Sequence, residues 1–246
     1  MKQFVFSFLF VMFISNLSFA QSSKIDIKEI YKKNDLNGAI YIAQGMKVVN
    51  TYNEKKLEKP LHPGSCFALI TVIESLQKEI LTFNSEEEKT NYTKLVTDEY
   101  AQFYKNLVNE ITYADWVEIV KEKQYGNANV SGGPKNFWQN GGLLLSAKEQ
   151  LDFLQRLTMH QLNYSKENVE TSIQLFSQKF GNFNTVIIKG ISAEETNNTY
   201  TLLGFIPEKN LYFVSIIDNK GKLDYDLHNK HANAVNEIIS SVISTL

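Results

Sequence analysis

Cysteine and proline are scarce in this sequence. Its 246 residues include one cysteine, Cys66, and four prolines. A single cysteine excludes an internal disulfide, so the fold has to be held by its hydrophobic core. After the N-terminal apolar run the sequence also lacks internal repeats, low-complexity segments and Pro/Gly/Ser-rich linkers. These absences favour a compact architecture without long hinges.

An excess of charge of either sign is lacking as well. The chain has 25 basic and 27 acidic residues, which gives a formal net charge of −2. Such a weak balance argues against nucleic acid or an anionic membrane surface as the partner. Arginine is almost absent, since Arg156 is the only arginine in the chain.

Long apolar runs are confined to the N-terminal residues. Phe4 to Phe13 is predominantly apolar, Lys2 precedes it, and Ser18-Phe19-Ala20 offers small residues for cleavage. This pattern predicts a signal peptide over residues 1–20, cleaved after Ala20, because the run is too short for a membrane span. We therefore expect a secreted or periplasmic protein, not a membrane-spanning one, with a single domain over residues 21–246.

The periodicity of the remaining chain predicts an α/β (α+β) fold. The N-terminal part is predicted to contain a helix over Ile25–Lys33, a hairpin of Gly38–Ala43 and Lys47–Tyr52, and an apolar helix over Cys66–Leu81. A helical region follows over about residues 82–183 and includes a capping box of Ser146 and Glu149. The C-terminal part is predicted to contain strands over Asn184–Ile191, Tyr200–Ile206 and Leu211–Asp218, and then a helix with one apolar face formed by Ala232, Val235, Ile238, Ile239 and Val242. Strands near both chain ends predict an antiparallel β-sheet built from both ends, with flanking helices and an inserted helical region.

The most informative stretch surrounds Ser65. A Pro63-Gly64 turn delivers this serine onto the first turn of a helix that is apolar on nearly every side. Such a helix belongs in the interior of a protein. A serine at its N-terminus lies beside unpaired backbone N–H groups and the positive end of the helix dipole, where enzymes place nucleophiles. The alternative is that Ser65 only caps the helix.

Three stretches resemble the class D β-lactamases and, more broadly, the penicillin-recognising serine enzymes that include penicillin-binding transpeptidases. The stretches are the turn Pro63-Gly64-Ser65-Cys66-Phe67, the motif Tyr125-Gly126-Asn127 with its sequel Asn129-Val130-Ser131-Gly132-Gly133, and the segment Phe137-Trp138-Gln139-Asn140-Gly141 that precedes Leu145 to Leu154. The resemblance implies a β-lactamase/transpeptidase-like fold. It also implies Ser65 as nucleophile, Tyr125, Asn127, Trp138 and Lys189 as ligand-binding residues, and no metal or other cofactor.

The departures from that resemblance fall on the chemistry. The family has a lysine three residues after the nucleophile, which in class D acts as the general base, and this sequence has Ala68 there. A serine hydroxyl needs such a base near neutral pH. Glu99-Tyr100-Ala101 stands where a second serine motif is expected. Lys189-Gly190-Ile191 lacks the threonine of the family's Lys-Thr-Gly strand, and Arg156 lies in the wrong element to clamp a carboxylate.

Other side chains could in principle supply the missing proton acceptor. Glu99, His62 and Lys189 are the candidates for a relocated base, although Glu99 also fits a solvated helix position and His62 a turn residue. Cys66 fits a buried structural thiol better than a reactive one. Two further patterns predict no site. Ser75 and Lys78 form a Ser-x-x-Lys pattern at the end of the helix where the dipole opposes an anion, and His228-Asn229-Lys230-His231 lacks metal-ligand spacing.

Three functions remain open on the sequence. The first is a catalytically impaired family member, a pseudoenzyme that binds a β-lactam or a peptidoglycan peptide and acylates Ser65 at most slowly. The second is an active serine hydrolase or transpeptidase with a relocated base. The third is a non-enzymatic exported scaffold for protein interactions. The sequence indicates neither the oligomeric state nor a partner protein.

Overall fold

The computed structural model describes residues 25–98, 100–193, 197–221 and 224–246. The predicted signal peptide at residues 1–20 and the candidate base Glu99 lie outside these residues and stay predictions. In the part of the chain that the structure describes, no helix is long and apolar enough to cross a membrane.

The helices of the described residues fall into an N-terminal group, a middle group and one C-terminal helix. They are α1 (Ile27–Lys33), α2 (Glu54–Leu57), α3 (Ala68–Gln77), α4 (Glu86–Asp98), α5 (Tyr100–Glu110), α6 (Tyr113–Glu122), α7 (Ala147–Thr158), α8 (Lys166–Leu175) and α9 (Tyr225–Ile243). The predicted capping box is confirmed at the start of α7, where the side chains of Ser146 and Glu149 each accept a hydrogen bond from the backbone N–H of the other.

The strands form one antiparallel sheet in the order β2-β1-β6-β5-β4-β3. They are β1 (Gly38–Gln44), β2 (Lys47–Tyr52), β3 (Ser177–Phe180), β4 (Phe183–Ala193), β5 (Asn197–Ile206) and β6 (Leu211–Lys220). The predicted hairpin is confirmed as β1 and β2. The prediction of three C-terminal strands was wrong by one, because β3 also pairs with the start of β4.

Pairing of β1 with β6 joins the two ends of the chain, with Tyr41 opposite Val214 in the register. The mixed α/β fold and the sheet built from both ends are therefore confirmed. The helices α4 to α8 follow one another in the sequence between β2 and β3.

Each face of the sheet has its own hydrophobic core. On one face, α1 and α9 pack through residues such as Tyr31, Val235 and Ile238. On the other, α3 and the middle helices pack against Val186, Ile188 and their neighbours. Since strand side chains alternate between faces, successive residues of β4 belong to different cores.

Helix α3 is the centre of the second core. Every residue from Ala68 to Leu76 is buried, as the apolar sequence predicts. The helix differs from the prediction at both ends. Residues Gly64–Phe67 form a 3-10 turn that leads into α3, and Glu79 with a φ of 57° follows its last turn and prevents continuation to Leu81.

Candidate active site

The turn that carries Ser65 lies directly on the backbone of β4. A Cβ built on Gly64, which has a φ of 52°, would be 2.0 Å from the carbonyl oxygen of Ile191. A Cβ built on Gly190 would be 2.4 Å from the Cys66 sulfur. Only glycine at these two positions allows the turn and the strand to approach so closely. The chain therefore fixes Ser65, which is half-buried, beside β4.

The edge of β4 is open to this turn because β3 is short. The pairing of β3 ends at Val186, and the N–H of Ile187 donates to Phe176 on the same side. Backbone groups two residues apart point to the same edge of a strand, so the N–H and C=O of Lys189 and Ile191 face the turn. Backbone N–H groups beside a nucleophile are the usual donors of an oxyanion hole.

Ala68 occupies the position one helical turn after Ser65. Its side chain is 2% exposed and belongs to the hydrophobic core around α3. A methyl group in this position has no lone pair to accept a proton from a serine hydroxyl. The region where the resembling enzymes carry their general base is therefore apolar in this chain.

An aromatic cluster surrounds Phe67, between Ser65 and the middle helices. Trp138 stacks on the Phe67 ring with centroids 5.8 Å apart and planes 2° apart, and Trp116 lies 4.9 Å away. Tyr125 contacts the same ring at 5.9 Å, and burial raises the pKa of its hydroxyl well above the usual value. The structure thus places two predicted ligand-binding residues, Tyr125 and Trp138, within the core that supports the turn.

Asn127 ties together the loop that follows α6. Its side-chain amide donates to the carbonyl of Gly142 at 2.9 Å. Its Oδ1 accepts from the N–H groups of Asn129 at 3.2 Å and Leu144 at 3.1 Å. All of these contacts are to backbone groups, so they hold two arms of the loop in register. A ligand-binding role for Asn127 stays a prediction.

Lys189 points away from the Ser65 turn. Because Gly190 faces Cys66, strand alternation directs Lys189 to the opposite face of the sheet, which α9 covers. There its charge adds to burial in lowering the pKa of His228. The Lys189 side chain and Cys66 therefore lie on opposite faces of β4.

The contacts of His62, Cys66 and Arg156 fit structural roles. His62 Nδ1 lies 3.3 Å from the carbonyl oxygen of Leu143. Burial raises the pKa of the Cys66 thiol to about 12, so the thiolate is scarce at neutral pH, in agreement with the predicted buried thiol. Arg156 donates to the backbone carbonyls of Lys123 and Gln124, beyond the end of α6, rather than facing β4.

The Ser-x-x-Lys pattern in α3 does not form a site. Ser75 is completely buried, whereas Lys78 lies at the end of the helix in an ion pair with Asp115 at 3.1 Å. Among the described residues, no group of three or more His, Cys, Asp or Glu side chains has metal-binding geometry.

Sequence reasoning missed a buried polar chain beneath α9. Ser215 Oγ lies 2.6 Å from Tyr31 Oη and 2.6 Å from His231 Nε2. Tyr31 donates to the carbonyl of Ala39, so Ser215 donates to Tyr31 and His231 donates to Ser215. Burial lowers the pKa of His231 to about 3 and keeps it neutral. The signals available from the sequence were the serine within the apolar pattern of β6 and His231, which was considered only as a metal ligand.

Comparisons with known proteins relate both the sequence and the fold of this chain to β-lactamases. No protein-family model matches the chain. The β-lactamase OXA-10 of Pseudomonas aeruginosa is 28% identical over 128 residues, which cover 49% of this chain and 48% of that protein. The chain thus matches about half the length of this relative.

Solved structures match a larger part of the chain. A class D β-lactamase from Nostoc has a TM-score of 0.75 and 16% identity over 89% of this chain and 99% of that one. The C-terminal domain of the Bacillus licheniformis BlaR penicillin receptor has a TM-score of 0.74 and 16% identity over 88% of this chain and 94% of that one. The chain therefore has the fold of the class D β-lactamases and of the BlaR penicillin-receptor domain, and about half of it is similar in sequence to OXA-10.

Proposed function

We propose that this chain is an exported penicillin-recognising protein that binds a β-lactam or a peptidoglycan peptide at Ser65 and acylates at most slowly. The observation that carries the proposal is Ala68, buried one turn after Ser65 where a general base is required. The turn itself retains the features of a nucleophile site, because glycines allow Ser65 to lie against the backbone of β4. In this proposal the turn still allows a ligand to bind at Ser65, whereas the missing base prevents efficient turnover.

The size of the expected defect follows from the missing proton transfer. Removing the base from a serine nucleophile costs about 3–6 kcal/mol of activation free energy, by analogy with deletions in catalytic triads. Each 1.4 kcal/mol corresponds to about a factor of ten in rate. Acylation slower by several orders of magnitude would still allow a ligand to accumulate on Ser65 over hours.

A receptor with this fold gives the proposal a parallel. The BlaR domain, which matches most of the chain, is described as a penicillin receptor. The class D β-lactamase from Nostoc matches about the same share of it. A ligand-binding role therefore fits the comparisons as well as hydrolysis does, and the buried Ala68 favours binding.

The geometry gives little support to an active enzyme with a relocated base. The Lys189 side chain points to the opposite face from the turn, and His62 Nδ1 lies against a backbone carbonyl. The Cys66 thiol has a pKa of about 12 and is fully buried. Glu99 lies outside the described residues.

The test is intact-mass measurement of residues 21–246 after incubation with benzylpenicillin. We expect a slowly formed adduct that maps to Ser65, that persists, and that is absent from Ser65→Ala. Ser131→Ala, a change at an exposed serine outside the Ser65 turn, serves as the control and should label like the wild type. Rapid release of hydrolysed penicillin would refute the proposed catalytic impairment. A complete lack of adduct and of binding would instead favour the non-enzymatic scaffold.

Export is tested separately. The full chain, expressed in a bacterium with a Sec pathway, should be recovered outside the cytoplasm with its N-terminus at Gln21. Retention of Met1 on the mature protein would contradict the proposed cleavage after Ala20.

A further inference from the structure

A cavity of about 220 Å³ opens between α5 and the loop that precedes α7. Its apolar wall consists of Val108 from the helix and Trp138 from the loop. Trp138 also stacks on Phe67, two residues after Ser65, so the aromatic cluster connects the cavity to the turn that carries Ser65. Clefts for drug-sized ligands usually measure about 300–1,000 Å³. This cavity therefore suits a fragment, such as the end of a peptide.

The polar lining of the cavity is cationic and rich in amides. It consists of Lys105, Asn109, Lys135, Asn136 and Gln139. Among the described residues that line the cavity, none is acidic. Neither lysine forms an ion pair with any residue that the structure describes. Two ammonium groups on one small cavity favour an anionic group, and the amides supply hydrogen bonds of both kinds.

Both walls of the cavity are held in place before any ligand binds. On the helix side, the carbonyl of Val108 accepts a hydrogen bond from Trp116 Nε1 at 3.1 Å. On the loop side, the carbonyl of Asn136 accepts from the backbone N–H groups of Gln139, Asn140 and Gly141 at 2.9 to 3.1 Å. A preformed site loses less entropy when a ligand binds.

We propose that this cavity binds the carboxylate end of a peptide, with Lys105 and Lys135 on the carboxylate and the side-chain amides on the adjacent peptide group. Bidentate carboxylate recognition by arginine is not available here, so two separate lysines provide the charge. The site is distinct from the chemistry at Ser65 and does not depend on acylation. Both lysines keep exposed surface, so water screens the attraction and we expect a dissociation constant in the millimolar range.

The test uses N-acetylglycylglycine, which carries one carboxylate next to a peptide group. Binding to residues 21–246 is followed by calorimetry and by the two indole N–H signals of the chain in NMR spectra. We expect saturable binding that shifts the signal of Trp138. The double variant Lys105→Gln/Lys135→Gln should bind about tenfold more weakly or worse, since hydrogen bonds to charged groups carry much of the affinity.

A control variant shows whether binding depends on this cavity. Lys121→Gln removes an exposed lysine from α6 outside the cavity and should bind like the wild type. No saturable binding by the wild type would overturn the proposal. So would equal binding by the C-terminal amide of the same peptide, or undiminished binding by the folded double variant. Equal binding of acetate would overturn the assignment to a peptide end.

Discussion

Replacing Ala68 with lysine restores an amine one helical turn after Ser65 and tests whether the missing base limits acylation. The position is 2% exposed within the hydrophobic core around α3. An ammonium group loses its hydration in such a place, so we expect the pKa of the new lysine to fall by about 3 to 5 from its usual 10.4. A lysine that is partly neutral near pH 7 can accept the proton of the serine hydroxyl.

The same change has a predictable cost in stability. Each unit of pKa corresponds to about 1.4 kcal/mol, so Ala68→Lys should lower the free energy of unfolding by about 4 to 5 kcal/mol at pH 7. The pKa of the lysine is lower in the folded state than in the unfolded state. The cost is therefore present at neutral pH and shrinks to below about 1 kcal/mol as the pH rises to 10.4.

Ala68→Met is the matched control, because methionine has nearly the same length and volume but no base. Urea unfolding from pH 7 to 10 should show a cost that decreases with pH for lysine and stays constant for methionine. With benzylpenicillin, Ala68→Lys should acylate Ser65 about 10²–10⁴ times faster than Ala68→Met. Equal acylation rates in a folded Ala68→Lys protein would refute the reasoning and direct attention to β4.

Three further predictions concern stability. Burial lowers the pKa of His231 to about 3, below its unfolded value, so stability is present above about pH 6.5 and falls on acidification, by about 2 kcal/mol at pH 5. Urea unfolding should show this loss in the wild type and in His160→Asn, an exposed control, and a smaller loss in His231→Gln, where His228, whose pKa burial also lowers, still titrates. Asn127→Ala removes three hydrogen bonds to backbone groups and should lower the free energy of unfolding by about 2 kcal/mol at an unchanged m-value. A loss below about 0.5 kcal/mol would show that Asn127 does not hold the loop together. Gly64→Ala places a methyl group against the Ile191 carbonyl at positive φ and should cost about 3 kcal/mol or more by thermal unfolding, a result that a wild-type melting temperature would disprove.

Much of the fold could be predicted because its signals are local. The apolar run after Ser65 predicted a buried helix, the hairpin at Gly45 predicted two strands, and the Ser146 and Glu149 pair predicted the start of α7. The strand β3 was missed because Ser177–Phe180 is short, polar and partly exposed. Its pairing depends on β4 rather than on its own composition.

The candidate site was less predictable, because it depends on direction and contact. The position of Lys189 in the sequence fits a family motif, but strand alternation turns its side chain toward His228. Trp138 and Asn127 lie in matching segments, yet their contacts are with Phe67 and with backbone groups. The relation of Gly64 to β4 joins residues more than a hundred positions apart, and no local pattern reveals it.

The complete burial of α3 also determines how long Ser65 stays in place. Backbone amides of a helix enclosed on all sides exchange with solvent only when the surrounding core opens. The amides of α3 should therefore be among the slowest of the protein to exchange with deuterium, and the turn before it is anchored to that protected segment and to β4. Ser65 should then keep its position through most fluctuations of the middle helices, so the slow acylation proposed above would find this serine in the same geometry each time.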